Sequence, residues 1–250
     1  MPDMDKDRKV YSIIMAGGKG ERLRPLVEQW LGYARPKQYC TFVGTRSMLR
    51  HTLDRAGQIT PPDHQFTLVS RDQQHFALSE LPPHRRGRML VQPCDRGTAA
   101  AIFLTLTYVR KRSPAATVVI YPSDHFVYPE DRFLQLIRST ISIAQATKHW
   151  LILLGAPAKS PEPEYGWIQP GVHLGWVNGH RLRTADKFTE KPTIDGCRQA
   201  MAKGRPLEYL DPGSRSGVVV GSRSPISAQN YGPFGGICGI YRNFRGTGKT

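Results

Sequence analysis

Short apolar runs rich in Val, Ile and Leu recur along the first 154 residues, separated by longer stretches of mixed polarity. Residues 10–15, 66–69, 88–91, 117–121 and 150–154 read as strands. The first and fourth are strong, since Val10-Tyr11-Ser12-Ile13-Ile14-Met15 and Thr117-Val118-Val119-Ile120-Tyr121 contain no charge. Between them, apolar positions recur at helical spacing over 48–56, 72–79, 98–111 and 131–149. Strands alternating with helices predict a mostly parallel sheet covered on both faces. In such a sheet ligands bind beyond the carboxyl ends of the strands.

Beyond Lys203 the texture changes. Residues 204–250 hold ten of the 24 glycines, with Ser and Arg interleaved, and show no helical or strand period. Disorder is the most economical expectation for such a tail. The chain therefore divides into a domain over 1–203 and an atypical segment over 204–250.

Composition narrows the function classes. With 250 residues, 39% of them apolar, there is room for one large α/β domain or two small ones. No apolar run is long enough to span a bilayer, and the charged first nine residues do not resemble a secretory signal. A soluble, cytoplasmic protein is expected, with no membrane partner. Cys40, Cys94, Cys197 and Cys238 are scattered without a CxxC pair. Free thiols are expected, and a zinc site has no support.

The net charge of +15 favours anionic partners. Its cations are spread along the chain, as in Arg85-Arg86-Gly87-Arg88 and Arg110-Lys111-Arg112, and no RNA- or DNA-binding motif accompanies them. Phosphorylated metabolites and nucleotides fit better than nucleic acid.

Candidate chemistry begins where the first strand ends, at Ala16-Gly17-Gly18-Lys19-Gly20-Glu21-Arg22-Leu23-Arg24-Pro25-Leu26. Glycines between a strand and a helix let backbone approach a ligand, and successive N–H groups form an anion cradle. A plain tight turn with solvated cations is the alternative. The cradle gains weight because Arg22 follows closely and Pro36-Lys37-Gln38 returns with a second cation. Two cations suit a triphosphate whose charge migrates toward a leaving pyrophosphate. The spacing matches neither the Walker pattern nor the Rossmann fingerprint. A second candidate is Asp124, which follows a buried strand and suits a hard cation such as Mg²⁺. Ser123-Asp124-His125 also reads as a helix cap, and His125 as a structural hydrogen-bonder. Trp167 and Trp176 read as core or wall aromatics, and Glu190-Lys191 in isolation as a surface ion pair.

Five motifs in order strengthen the picture. The Gly loop with Pro36-Lys37-Gln38 is followed by Gln92-Pro93-Cys94-Asp95-Arg96-Gly97-Thr98-Ala99 and Pro122-Ser123-Asp124-His125. Pro163-Glu164-Tyr165-Gly166-Trp167-Ile168 and Phe188-Thr189-Glu190-Lys191-Pro192 complete the series. Together, over residues 10 to about 203, they resemble the sugar-1-phosphate nucleotidylyltransferases, most closely the mannose-1-phosphate guanylyltransferase branch. The resemblance implies a Rossmann-like three-layer α/β/α fold of the nucleotide-diphospho-sugar transferase type, with a mixed, mostly parallel sheet.

It also implies roles. Ala16, Gly17, Gly18, Gly20 and Arg22 would hold the nucleoside triphosphate, and Arg22 and Lys37 would stabilise the phosphoryl transition state. Gln92, Arg96, Gly97 and Thr98 would border the base and nucleotide. Asp124 would bind Mg²⁺. Gly166, Glu190 and Lys191 would hold the sugar phosphate. The implied reaction joins GTP and mannose 1-phosphate into GDP-mannose and pyrophosphate. Other nucleotides and sugars, an inactive nucleotide-binding homologue and a homo-oligomer stay open.

The resemblance breaks after residue 203. The family continues into a Trp-Asn-Ser/Thr stretch and a later acidic metal ligand. Here Leu207-Glu208-Tyr209-Leu210-Asp211-Pro212 stands instead. With suitable codons, a one-base shift would read Trp-Asn-Thr across 207–209 and an apolar run across 211–216. The tail is therefore expected to be either divergent or translated out of frame.

Overall fold

A computed structural model describes residues 9–81, 83, 88–147, 150–177, 180–202, 207–209, 218–222 and 239–242. The four strands of the first half are β1 (Val10–Met15), β2 (Gln65–Ser70), β3 (Met89–Gln92) and β4 (Thr117–Pro122). They lie in the order β3-β2-β1-β4, and every neighbouring pair is parallel. β1, β2 and β4 are almost wholly buried. Both faces are covered, which explains why these strands are continuous apolar runs rather than alternating ones.

The covering helices are built from the same logic. α1 (Arg24–Leu31), α2 (Met48–Gly57), α3 (Gln74–Glu80), α4 (Gly97–Arg112) and α5 (Glu130–Ala146) follow the chain in order. In α2, Ser47 caps the first turn by accepting a bond from the Arg50 amide at 3.2 Å. Its apolar residues Met48, Leu49, Leu53 and Ala56 turn inward. One core cluster joins Ile14, Val69, Val119 and Tyr121 to Leu53 of α2 and Ile137 of α5. A second joins Tyr11, Ile13, Phe66, Val118 and Ile120 to Ile102, Leu106 and Val109 of α4. Tyr11 and Ile13 face one layer and Ile14 the other, as strand alternation requires. The expected three-layer α/β/α arrangement is present.

The second half differs from the pattern read in the sequence. β5 (Leu151–Pro157) lies beyond β4, and β6 (Gly166–Val177) and β7 (His180–Glu190) form a long antiparallel hairpin. That hairpin was not legible, because Pro170, Gly171 and Gly175 interrupt the alternation. The register shifts at the same places. α6 (Ile194–Ala202) follows the hairpin.

Three strands also fall where none was expected: β8 (Leu207–Tyr209), β9 (Val218–Ser222) and β10 (Gly239–Arg242). β10 inserts antiparallel between β4 and β5. β9 pairs antiparallel with β5 and parallel with β7, and β8 bridges β5 and β6. The expectation of a tail without strands is corrected for these residues: Val218-Val219-Val220 is a β-branched run between glycines. The rest of 203–250 lies outside the described residues. The predicted helix over 131–149 ends at Ala146, with Lys148 and His149 outside the described residues. The predicted helix over 72–79 begins as a 3₁₀ turn at Arg71–Gln73.

Ile137 is fully buried between α5 and the sheet. Ile137→Ala should cost about 2–5 kcal/mol of stability through lost contacts and a residual cavity. Urea unfolding followed by circular dichroism measures it, and a midpoint unchanged from the parent would remove Ile137 from the core.

Candidate active site

The order β3-β2-β1-β4 places a topological switch between β1 and β4: the chain moves to β2 on one side of β1, then returns to β4 on the other. Met15 pairs with Pro122 at the carboxyl ends of the two strands. The Met15 carbonyl then accepts bonds from the Ser123 amide at 3.2 Å and the Ser123 hydroxyl at 2.7 Å. This pins the exit of β4 to the exit of β1, so Asp124 emerges beside the glycine loop. Ser123 is thereby occupied, and α5 starts only at Glu130. The capping alternative for Ser123-Asp124-His125 falls.

The loop after β1 is held from beneath. Tyr39 Oη donates to the Ala16 carbonyl at 2.9 Å. Gln38 Nε2 donates to the carbonyls of Ala16 at 3.1 Å and Gly18 at 2.7 Å. Gln73 Nε2 donates to Gly18 at 3.1 Å and to Gly17 at 3.4 Å. In a planar trans peptide the C=O and the following N–H point in opposite directions. With these carbonyls engaged below, the amides of Gly17, Gly18 and Lys19 face the other way. Successive amides on one side make a concavity suited to phosphate.

Two of the glycines sit in tight surroundings. A Cβ on Gly17 would lie 3.2 Å from the Ser70 amide nitrogen. Gly20 has φ +64°, and a Cβ there would lie 3.2 Å from the Lys37 amide nitrogen. That close approach brings Lys37 to the loop. Lys37 in turn forms an ion pair with Asp124, Nζ to Oδ2 2.8 Å. Thus Gly17, Gly18, Gly20, Lys37 and Asp124, far apart in sequence, meet at the switch point. Arg22 lies in the 3₁₀ turn Glu21–Leu23, and its side chain is outside the described residues.

Burial works against the Asp124 charge, but the neighbouring His125 and Lys37 outweigh it, and the carboxyl sits below its ordinary value. His125, with Nε2 3.6 Å from Asp124 Oδ1, is itself held below the usual imidazole range. Burial is the main cause, joined by the cations Lys37 and Arg55 and only partly offset by Asp124. At neutral pH the cation on Asp124 is therefore Lys37.

The remaining candidates lie along the same edge or further across the sheet. Gln92 ends β3 and is the register partner of Ser70, against which Gly17 packs. Arg96 precedes α4, and Gly97 and Thr98 open it. The Gly97 amide donates to the Asp95 carboxylate at 2.9 Å, and Gly97 has φ +80°. Gly166 and Glu190 are register partners on β6 and β7. A Cβ on Gly166 would lie 2.6 Å from the Phe188 ring and 3.2 Å from Glu190 Oε2, so the carboxylate covers the glycine. Lys191 has φ +41°, a left-handed value uncommon outside glycine. β10, β5 and β8 separate this group from β4 in the sheet.

Trp167 is a core wall residue, buried and donating to the Glu162 carbonyl at 2.9 Å. Trp176 is not: it is 58% exposed, with the Arg181 guanidinium 5.0 Å from its ring centre. Cys40, Cys94 and Cys197 are free thiols; Cys238 is outside the described residues.

Among the described residues no group of three or more His, Cys, Asp and Glu side chains is placed to hold a metal. A full protein cage of the zinc or calcium kind is not built there. A lone carboxylate beside a phosphate cradle does fit Mg²⁺, which takes one or two carboxylates with phosphate oxygens and waters. Gln73 and Tyr39 carry part of the site without any signal in the sequence. Their bonds to the loop end on backbone, and their residue types announce nothing.

The family model described as "Nucleotidyl transferase" matches residues 11–205. The chain belongs to the nucleotidyl transferase family. It is 29% identical over 207 residues to a mannose-1-phosphate guanylyltransferase of Escherichia coli strain K12, covering 78% of this chain and 40% of that protein. It is 28% identical over 198 residues to the xanthan biosynthesis protein XanB of Xanthomonas campestris, covering 78% and 39%. The chain thus spans about two fifths of the length of these curated relatives. Among solved structures, one described as a mannose-1-phosphate geranyltransferase of Thermus thermophilus aligns with TM-score 0.66 at 29% identity, over 80% of this chain and 55% of that one. A mannose-6-phosphate isomerase structure from Helicobacter pylori aligns at TM-score 0.60 and 19% identity, over 80% and 67%, a likeness of fold. Among the described residues no helix is long and apolar enough to cross a membrane.

The lowered Asp124 value sets a pH window. Its charge stabilises the fold above the unfolded carboxyl value of about 3.9, and that contribution is lost as pH falls further toward the folded value. In metal-free buffer, the thermal midpoint of the parent should exceed that of Asp124→Asn at pH about 5, and the gap should close below about 3.9. A gap that widened on acidification would reverse the assignment.

Proposed function

We propose that this chain carries out Mg²⁺-dependent transfer of GMP from GTP to mannose 1-phosphate, giving GDP-mannose and pyrophosphate. One observation carries the reading: the glycine loop, fastened through its carbonyls, Lys37 and Asp124 converge at the switch point of a nucleotidyl transferase fold. The similarity to proteins named mannose-1-phosphate guanylyltransferase supports the choice of guanine and mannose.

In this reading the amides of Gly17, Gly18 and Lys19 receive the triphosphate, with Gly20, Ala16 and Arg22 completing the loop. Gln92, Arg96, Gly97 and Thr98 border the nucleotide. Gly166, Glu190 and Lys191 hold the sugar phosphate. Its phosphate oxygen attacks the α-phosphorus in line, the bond to the bridging oxygen breaks, and pyrophosphate leaves with the electron pair. Lys37 and Arg22 neutralise the charge that gathers on the leaving group. No covalent enzyme intermediate is needed, and positioning supplies much of the rate. Asp124, kept ionised, would hold Mg²⁺, which when bound neutralises phosphate charge.

A second reading rests on the segment after residue 203. There the Trp-Asn-Ser/Thr stretch and the later acidic ligand are replaced by Leu207-Glu208-Tyr209 and its successors. We propose that residues 10–203 carry the nucleotide half, and that 204–250 is an out-of-frame reading of the family's sugar side. The chain then binds nucleotide and turns over poorly. The coding DNA tests the frame: without an intact shifted alternative the idea ends.

Pyrophosphate release, measured across four nucleoside triphosphates and several sugar 1-phosphates, tests the activity. GTP with mannose 1-phosphate should lead, and preference for another pair would change the assignment. On a competent version, Arg22→Ala should lower turnover by roughly 10²-fold, the scale seen when one transition-state donor is lost. Grafting the one-base-shifted tail should raise turnover of a poorly active chain, whereas robust activity from the chain as written would remove the frame proposal.

A further inference from the structure

The loop that meets the triphosphate is fastened by two buried primary amides that the reaction itself does not use. Gln38 is 2% exposed and Gln73 is 3% exposed. Gln38 Nε2 has two protons and faces three acceptors: the Ala16 carbonyl, the Gly18 carbonyl and Gln73 Oε1 at 2.8 Å. Gln73 Nε2 has two protons and faces the Gly17 and Gly18 carbonyls. The two side chains thus form one chain of amides whose N–H groups end on loop carbonyls. Hydroxyls and carboxylates could not do this, because a primary amide alone offers two donors and an acceptor without charge. Burying such groups is costly unless all are bonded. The bonds to the loop meet that condition for the N–H groups of both side chains.

We infer that Gln38 and Gln73 act as one positioning unit that sets the phosphate cradle before nucleotide arrives. The unit rests on the reading of the loop as a triphosphate site. Each carbonyl it draws down turns the next amide up, at Gly17, Gly18 and Lys19. Binding then has no loop left to order, and the affinity otherwise lost to ordering is kept. The unit also reaches the cation. Gln38 and Lys37 share the 3₁₀ turn Lys37–Tyr39, so the turn that fastens the loop also presents Lys37 to Asp124. Loop and cation are set by the same turn, with Gln73 reaching in from the turn at Arg71–Gln73 after β2.

The test uses the full chain and inorganic tripolyphosphate, titrated by calorimetry at about 0.15 M salt to screen diffuse attraction to a basic protein. Gln38→Leu and Gln73→Leu should each weaken binding by roughly tenfold, the scale of one or two net hydrogen bonds. Their double variant should fall little further, because the two residues act through one chain of bonds. Ile137→Ala, destabilised but removing none of the bonds that fasten the loop, should bind as the parent does, which separates positioning from general loss of stability. Gln73→Glu is the second route if Gln38→Leu does not fold. It still accepts from Gln38, has no N–H for the loop, and places an anion under the cradle, so it should bind more weakly than Gln73→Leu. Single variants that bind like the parent, losses that multiply in the double, or a parent that binds no tripolyphosphate would each overturn the inference. Should the parent bind with these variant effects yet release no pyrophosphate from any pair of substrates, the activity fails and the positioning unit stands. Pyrophosphate release with unaltered binding in the variants would mean the reverse: the activity stands and the positioning unit fails.

Discussion

The Met15 carbonyl, accepting from both the amide and the hydroxyl of Ser123, is the joint on which the site's geometry depends. Parallel pairing brings the ends of β1 and β4 together, but pairing stops at Met15 and Pro122. Beyond that point two chains leave the sheet with nothing in the ladder to relate them. The bonds from Ser123 extend the relation one residue further, far enough to bring Asp124 within 2.8 Å of Lys37. Lys37 is in turn set by the glycine-only approach of Gly20. Backbone positions, fixed with the help of one serine hydroxyl, therefore decide where the charges sit.

Those charges are arranged in opposition. A protein with net charge +15 attracts anions everywhere, so attraction alone cannot mark a site. At the switch point the Asp124 carboxyl sits below its ordinary value although burial opposes its charge, and at neutral pH the cation beside it is Lys37. A carboxylate placed here for structure alone would stabilise the fold little, since a desolvated pair returns little net free energy. On the function proposed above, the same carboxylate must be negative for a cation that arrives with phosphate. Lys191 at φ +41° is a second place where the backbone is held away from its comfortable range, next to Glu190, whose carboxylate lies against Gly166.

The legible part of the fold was the part in which burial is symmetrical. β1 runs over Val10–Met15, as its apolar run predicts, and β4 exceeds its run by a single proline. Strands covered on both faces write themselves as unbroken apolar runs, and helices with one buried stripe write themselves at helical spacing. β6 and β7 are exposed along much of their length and bulged at Pro170 and beyond, so neither rule applies. The glycine loop, Lys37 and Asp124 stand out because their residue types are unusual at strand ends. Gln73 and Tyr39 do not, because a side chain that bonds to backbone carries no motif of its own. Trp176 misleads for a related reason: a lone aromatic reads as core until its strand is known to face outward.

The position of β10 bears on what this chain can do. A parallel sheet grows from β4 to β5 through a crossover, yet here a strand from residues 239–242 enters antiparallel between them. β5 therefore reaches the parallel half through a strand supplied some eighty residues later, and β8 and β9 tie the same strand to the hairpin that carries Gly166 and Glu190. The hairpin is thus attached to the parallel half by strands from the segment that lies beyond the family match over residues 11–205. Long-range pairings of this kind are reached only after the loops between them have closed, and the entropy of closure is offset by the contacts the strands then make. In the parallel half those contacts are the two clusters on the faces of β1 and β4. Around the hairpin the cluster among the described residues is centred on Leu153 and Ile168. The glycine loop has its own core beneath it, whereas the register between that loop and the β6–β7 hairpin rests on the three late strands.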